Sequence, residues 1–161
     1  MIEQTVAMVL GGKEIHDLVS VPATAKVSDA VALMAERSIG AVVIRGAAGS
    51  VDGIFTERDL VRRVANEARD PKSTPISAVM TGNVRRVDAA ATVEEALRLM
   101  VVHGYRHLLV EDGARILGLI SIRDLMRWMV MPDRPIAPEG RVGVIRARAE
   151  QVTRSIQGMK K

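Results

Sequence analysis

The sequence contains one segment twice. GIFTERDLVRR (residues 53–63) returns as GLISIRDLMRW (118–128) at an offset of 65, with Gly, Arg, Asp, Leu and Arg in the same five positions. Upstream, VSDAVALM (27–34) matches VEEALRLM (93–100) at an offset of 66. A repeat of this length indicates one supersecondary unit used twice, and the two copies should share a core because neither alone buries enough apolar surface. The drop of one residue in the offset predicts a deletion in the loop between the two matches.

Each copy is predicted to run β-α-β-β-α. Strands are expected at 17–22 and 83–88, and helices over 27–34 and 93–100, where apolar residues recur at helical spacing. Further strands follow at 41–45 and 107–111, then at 51–55 and 115–120, before a closing helix that begins within TERD or SIRD. Ser28 is a predicted N-cap, and Thr92 with Glu95 fits a capping box. The predicted fold class is α/β (α+β), with the two repeats packed as a pseudo-twofold pair.

The chain outside the repeats is shorter and more polar. We expect an N-terminal helix at 1–12, the first repeat at 13–68, a linker containing Pro and Ser at 69–78, the second repeat at 79–130 and a basic C-terminal tail helix at 131–161. The tail has apolar residues at heptad spacing, which favours a helix that lies on its own body or on a dimer mate. These residues are Val142, Ile145, Ala149, Val152, Ile156 and Met159.

Charge and composition exclude several classes of protein. Residues 1–130 carry 16 basic and 16 acidic side chains, so the net charge of +4 comes from the tail, which has 7 basic and 3 acidic ones. Nucleic-acid binding is therefore not expected of the body, and remains an alternative for the tail alone. The chain has no cysteine to supply a thiolate ligand and only three histidines, so no metal site is expected. Without a signal peptide or an apolar span, we expect a cytoplasmic protein with no membrane contact.

The repeated hydroxyl and carboxylate allow two interpretations. Thr56 with Asp59, and Ser121 with Asp124, fit capping boxes at helix starts, which a repeated fold would repeat. The same helix starts also offer free N–H groups to an anion, with a nearby arginine in each repeat. A carboxylate one turn further on can accept hydrogen bonds from ribose hydroxyls. No arrangement of nucleophile and base indicates catalysis, so we expect neither an enzyme nor an obligatory cofactor.

From about residue 13 to residue 130 the chain resembles a tandem pair of cystathionine-β-synthase (CBS) domains, also called a Bateman module. The resemblance rests on the doubled motif, on VMTGNV at the start of the second repeat and on GYRHLLVEDG before its last strands. It implies a cleft between the repeats that binds an adenosine nucleotide, with AMP the expected ligand and ATP, S-adenosylmethionine or NADH the alternatives. It also implies a homodimer that signals to an unknown partner protein. The family usually has proline where Val43 and Leu109 stand here.

The resemblance implies two ligand sites, each pairing the helix start of one repeat with strands of the other. The first would contain Thr56, Arg58, Asp59, Thr81, Asn83, Tyr105, Arg106 and His107. The second would contain Ser121, Arg123, Asp124, Ile15, Ile39, Gly40 and Ala41. The competing hypothesis is a structural dimerisation module that binds no ligand and uses these motifs only as helix caps.

Overall fold

The computed structural model describes residues 4–11 and 18–130. The predicted tail helix at 131–161 and the predicted site residue Ile15 lie outside the described residues. Along the described chain, no helix is long and apolar enough to cross a membrane.

The predicted order of elements is confirmed in both repeats. A short helix, α1 (Val6–Leu10), precedes the first repeat. The first repeat contains β1 (Ser20–Pro22), α2 (Val27–Arg37), β2 (Ala41–Arg45), β3 (Val51–Thr56) and α3 (Glu57–Asp59), which continues as a π-helical stretch over Leu60–Ala65. The second contains β4 (Arg86–Asp88), α4 (Val93–His103), β5 (His107–Asp112), β6 (Arg115–Ser121) and α5 (Ile122–Val130). Short 3₁₀ turns lie at Ala47–Gly49 and Ile76–Ala78.

Each repeat forms a three-stranded mixed sheet of the same topology. β1 is parallel to β2 and β2 antiparallel to β3, and β4, β5 and β6 repeat that order. Five residues separate Arg45 from its cross-strand partner Val51, whereas four separate Glu111 from its partner Ile116. The predicted deletion therefore does lie in this loop, where a shorter connection leaves the strand register unchanged.

The helices α2 and α4 start differently. The Thr92–Glu95 capping box is confirmed: the Thr92 N–H donates to Glu95 Oε2 (2.8 Å), and the Glu95 N–H donates to Thr92 Oγ1 (3.1 Å). Hydrogen bonding of its carboxylate to the Thr92 N–H, and secondarily to the Thr92 side chain, lowers the pKa of Glu95. The prediction of Ser28 as an N-cap is wrong, because α2 already begins at Val27 and the cap position is Lys26, whose N–H donates to Asp29 Oδ2 (2.9 Å).

The apolar core of each repeat includes a segment that lies just before the other repeat in the sequence. α1 lies on the second repeat, where the Val6 N–H donates to the Ala91 carbonyl (2.8 Å). The 3₁₀ turn after the first repeat lies on the first repeat in the equivalent way, with the Ile76 N–H donating to the Ala25 carbonyl (2.9 Å). Val6 and Ile76 are both fully buried, so part of the predicted linker belongs to the first repeat's apolar core.

The two sheets meet at a buried aliphatic cluster. Leu18, Val43 and Ile54 from the first repeat pack with Leu109 from the second. The N–H groups of Val43 and Leu109 donate to the carbonyls of Val19 (3.0 Å) and Arg85 (2.9 Å). A proline at either position would lack this donor. The departure from the family's proline therefore leaves both central strands regularly paired.

Candidate ligand-binding site

Both copies of the motif form helix caps. In the first repeat the Thr56 N–H donates to Asp59 Oδ2 (3.0 Å), and the Asp59 N–H donates to Thr56 Oγ1 (3.3 Å). In the second, the Ser121 N–H donates to Asp124 Oδ2 (2.9 Å), and the Asp124 N–H donates to Ser121 Oγ (3.1 Å). The capping interpretation is thus confirmed, and it places two carboxylates at positions only 6% and 7% exposed.

The first backbone donor of each closing helix is already in use. The Glu57 N–H donates to the Gly40 carbonyl (3.0 Å), and the Ile122 N–H donates to the Arg106 carbonyl (2.9 Å). β2 starts after Gly40 and pairs with β3, which ends where α3 starts. β5 starts after Arg106 and pairs with β6, which ends where α5 starts, so both contacts follow from strand pairing. The expectation of free N–H groups is wrong at these positions and at the two capped aspartates. An anion here would be held mainly by side chains.

Asp59 has two further partners, which gather the first predicted site. The Thr81 hydroxyl donates to Asp59 Oδ1 (3.0 Å), and Arg63 Nε lies 3.6 Å from the same oxygen. Thr81 is held by a backbone bridge to Ile54, with N–H to carbonyl distances of 2.8 and 2.9 Å. Arg63 is held in turn by the Met80 carbonyl, which accepts from its Nη1 (2.6 Å). Thr56, Asp59 and Thr81 therefore form one hydrogen-bonded cluster.

Arg58 joins this cluster to the second repeat. Its Nη1 donates to the carbonyl of Gly104 (3.0 Å), the residue that ends α4 in the left-handed conformation. Tyr105 comes next in the chain, so the first helix start lies close to the second repeat's predicted ligand-binding segment. Three of the predicted first-site side chains, Thr56, Asp59 and Thr81, are brought together directly, and Arg58 extends the group across the repeats.

Tyr105 has two neighbours that sequence reasoning missed. Arg85 Nε donates to the Tyr105 hydroxyl (3.2 Å), and this bond raises the pKa of Arg85 above its ordinary value. The His103 ring stacks on Tyr105 with centroids 5.6 Å apart and an interplanar angle of 25°. The first contact joins residues 20 positions apart and the second spans the turn at Gly104, and no local sequence pattern marks either.

Among the remaining predicted residues, Ala41 and His107 begin strands, whereas Ile39 and Asn83 lie outside them. His107 is in register with Ser121, and Ala41 with Thr56, so each strand start lies beside its own helix start. Ile39 is half-buried against the first repeat's core, and Ala41 is buried. Asn83 adopts a left-handed conformation with φ 47°.

The two sites are not equivalent. Arg63, which approaches Asp59, corresponds to Trp128 at the offset of 65, so the two repeats differ in side chain at this position. The segment carrying Thr81 corresponds to the end of α1, where Gly11 offers no hydroxyl. Among residues 4–11 and 18–130, no three His, Asp or Glu side chains are placed to hold a metal ion.

Comparison with known proteins gives a consistent result. A family model described as CBS domain matches residues 13–66 and 76–131. An uncharacterized 17.7 kDa protein from Acidianus ambivalens is 33% identical over 105 residues, which is 65% of this chain and 62% of that protein. The chain thus spans less than two thirds of this relative, and 48% of an uncharacterized protein from Methanopyrus kandleri.

Solved structures share the arrangement of both repeats. A protein with CBS domains from Burkholderia ambifaria has a TM-score of 0.74 and 38% identity, covering 83% of this chain and 98% of that one. A CBS domain protein from Pyrobaculum aerophilum, solved in complex with AMP, has a TM-score of 0.64 and 25% identity, covering 74% and 88% of the two chains.

Proposed function

The chain belongs to the CBS domain family as a tandem pair of these regulatory domains, and on this basis we propose that it binds an adenosine nucleotide, with AMP the first choice, and signals to a partner protein. The observation that carries the proposal is the polar cluster at the junction of the repeats. There, Asp59 and Thr81 hydrogen bond to each other while Arg58 reaches Gly104. The AMP complex of the Pyrobaculum aerophilum relative supports the choice of ligand.

The chemistry of the first site suits each part of a nucleotide. The Asp59 carboxylate can accept from vicinal ribose hydroxyls, although it already accepts from Thr56 and Thr81. The Arg58 guanidinium is exposed and can bind a phosphate with charge-assisted hydrogen bonds. Tyr105, fixed by Arg85 and His103, offers an aromatic ring near the base. In this proposal the nucleotide is a regulatory signal and is not turned over, since both aspartates are engaged as helix caps.

A ligand titration tests this function. We expect AMP to raise the thermal midpoint as its concentration rises, because a ligand that binds only the folded state adds about 2.7 kcal/mol at a hundredfold excess over its Kd. ADP, ATP, S-adenosylmethionine and NADH are titrated in parallel. GMP is the matched control, since it keeps the ribose and phosphate and changes only the base. A midpoint that none of the adenosine ligands moves would contradict the proposal.

A homodimer is the second part of the proposal. Helix α5 buries Asp124 and Leu125 on one side, while Ile122, Met126, Met129 and Val130 form an apolar stripe at helical spacing along another. Met126 and Met129 are 57% and 60% exposed. We propose that a second copy of the chain covers this stripe, since a twofold interface requires a patch that faces itself. In the first repeat, the positions equivalent to Met129 and Val130 are Val64, which is buried, and Ala65.

Charge substitution in the stripe tests the dimer. We expect Met126→Asp with Met129→Asp to convert a dimer to a monomer, because facing carboxylates would be desolvated and repel each other. Light scattering coupled to size-exclusion chromatography measures the mass. Val61→Asp is the control, because Val61 is the equivalent of Met126 and is 63% exposed on the first repeat. A wild-type chain that is monomeric at high concentration would refute the dimer.

The confirmed caps keep one other function open. A structural module that binds no ligand would need Thr56–Asp59 and Ser121–Asp124 only to start α3 and α5, which is what their hydrogen bonds do. The two functions differ in whether a variant of Asp59 changes ligand binding as well as stability.

A further inference from the structure

A side-chain hydrogen bond joins Arg58 of the first repeat to Gly104 of the second. Arg58 lies in the first turn of α3, and the Gly104 carbonyl at the end of α4 accepts from its Nη1 at 3.0 Å. The side chain is exposed, and its acceptor is a neutral carbonyl. A phosphate is negatively charged and can accept two parallel hydrogen bonds from the guanidinium, whereas the carbonyl carries no charge and accepts one bond. A phosphate at the proposed site would therefore compete effectively with the carbonyl for the guanidinium.

The pair of positions equivalent to Arg58 and Gly104 is not joined by such a hydrogen bond. Arg123 is the counterpart of Arg58, and Ser38 ends α2 in the left-handed conformation that Gly104 adopts at the end of α4. Within the described part of the chain, Arg123 makes no hydrogen bond. The bond at Arg58 is thus not a consequence of the repeated fold. It is particular to the first site.

We propose that Arg58 is a phosphate-operated switch: it ties α3 to the end of α4 in the ligand-free chain and leaves Gly104 when it binds the phosphate of the nucleotide. This inference rests on the proposed nucleotide site and adds how ligand binding there would change the conformation of the chain. A ligand shifts a conformational equilibrium only through a difference in affinity between the two states. Here the difference is whether the guanidinium Nη1 donates to the Gly104 carbonyl or to a phosphate oxygen.

The tie connects the site to the surface. Val101 and Val102 lie in the last turn of α4 and are each 70% exposed, directly before His103 and Gly104. The same helix lines a shallow groove of about 280 Å³ with Glu95, Arg98, Leu99, Val102 and His103. Release of Gly104 would free the end of α4 and so change the exposed face that a partner contacts. Adenosine, which lacks the phosphate, would bind without releasing it.

Two measurements on the full chain test the switch. The first is the amide nitrogen resonance of Tyr105, because that nitrogen shares a peptide group with the Gly104 carbonyl. We expect Arg58→Gln to shift it in the ligand-free protein and AMP to shift the wild-type resonance the same way. Adenosine, which brings the same base beside Tyr105 but no phosphate, should shift the resonance less than AMP, and the difference between the two shifts should have the sign of the Arg58→Gln shift. The second is affinity: Arg58→Gln should weaken AMP about tenfold, the factor that 1.4 kcal/mol represents, and change adenosine less than about twofold.

Arg62→Gln is the matched control, because Arg62 is an exposed arginine of the same closing helix that is not among the predicted site residues, and it should leave both measurements at wild-type values. If AMP raises the thermal midpoint but neither AMP nor Arg58→Gln moves the Tyr105 resonance, the switch is refuted while the nucleotide site stands. Equal losses of AMP and adenosine affinity in Arg58→Gln would also refute it, since they would indicate a structural role. If no adenosine ligand binds the wild-type chain, both proposals fail together.

Discussion

Gly53→Ala should lower the free energy of unfolding by about 3 kcal/mol, near the upper end for overpacking a core. A Cβ atom at Gly53 would lie 2.6 Å from the Thr81 carbonyl oxygen and 3.0 Å from the Met80 sulfur. The carbonyl belongs to the bridge that pairs Thr81 with Ile54, so it can move only by breaking those hydrogen bonds. Urea denaturation at equilibrium measures the change.

Gly118→Ala is the matched control, because Gly118 holds the same position in the second repeat. A Cβ atom there would meet only the end of the Leu10 side chain, at 3.0 Å. A flexible side chain can adjust, so we expect a loss below about 1 kcal/mol. Equal losses at the two glycines would show that the Ile54–Thr81 bridge does not limit the space at Gly53.

Asp59→Asn should cost about 2 kcal/mol of stability and abolish the AMP-induced rise of the thermal midpoint. The buried carboxylate accepts from the Thr56 N–H and the Thr81 hydroxyl and lies near Arg63. An amide offers one acceptor oxygen and brings an NH₂ group that would face a donor. A buried donor without a partner costs about 1–3 kcal/mol. Urea denaturation gives the stability, and calorimetric titration with AMP gives the binding.

Thr81→Val separates the two effects, since it removes one hydrogen bond to Asp59 and leaves the helix cap. We expect it to cost about 1 kcal/mol and to weaken AMP only partly. An Asp59→Asn protein that binds AMP like the wild type would exclude Asp59 from the site and favour the structural module. Asp124→Asn applies the same test to the second site.

Much of the fold could be predicted because its signals are local. The doubled motif, the helical spacing in α2 and α4 and the Thr92–Glu95 box each depend on residues within a few positions of each other. Capping bonds of the Thr56–Asp59 type span three residues, so they form wherever that helix starts. A local rule failed at Ser28, because the cap position, Lys26, corresponds to Thr92 of the second repeat but carries no hydroxyl that would mark it.

The candidate site could be predicted only in part. Its helix starts follow from the repeated motif, but Arg85 and His103 reach Tyr105 through a turn that no spacing marks. The sequence also presents Arg58 and Arg123 as equivalent, whereas only Arg58 is bonded to the other repeat within the described residues. Such differences depend on which surfaces of the two repeats meet, and a repeated sequence pattern does not specify those surfaces.

By itself, then, the sequence determined the unit that is repeated, the order of its strands and helices and the caps that start them, because short-range sterics and hydrogen bonds decide these. The tertiary structure alone decided that α1 completes the second repeat and Ile76 the first, that Thr81 bonds to Asp59, and that Arg58 spans to Gly104. The Asp59–Thr81 and Arg58–Gly104 hydrogen bonds join residues 22 and 46 positions apart, and the packing of α1 and of Ile76 joins segments that are further apart in sequence. They form only when burial of the shared apolar core has brought the repeats together.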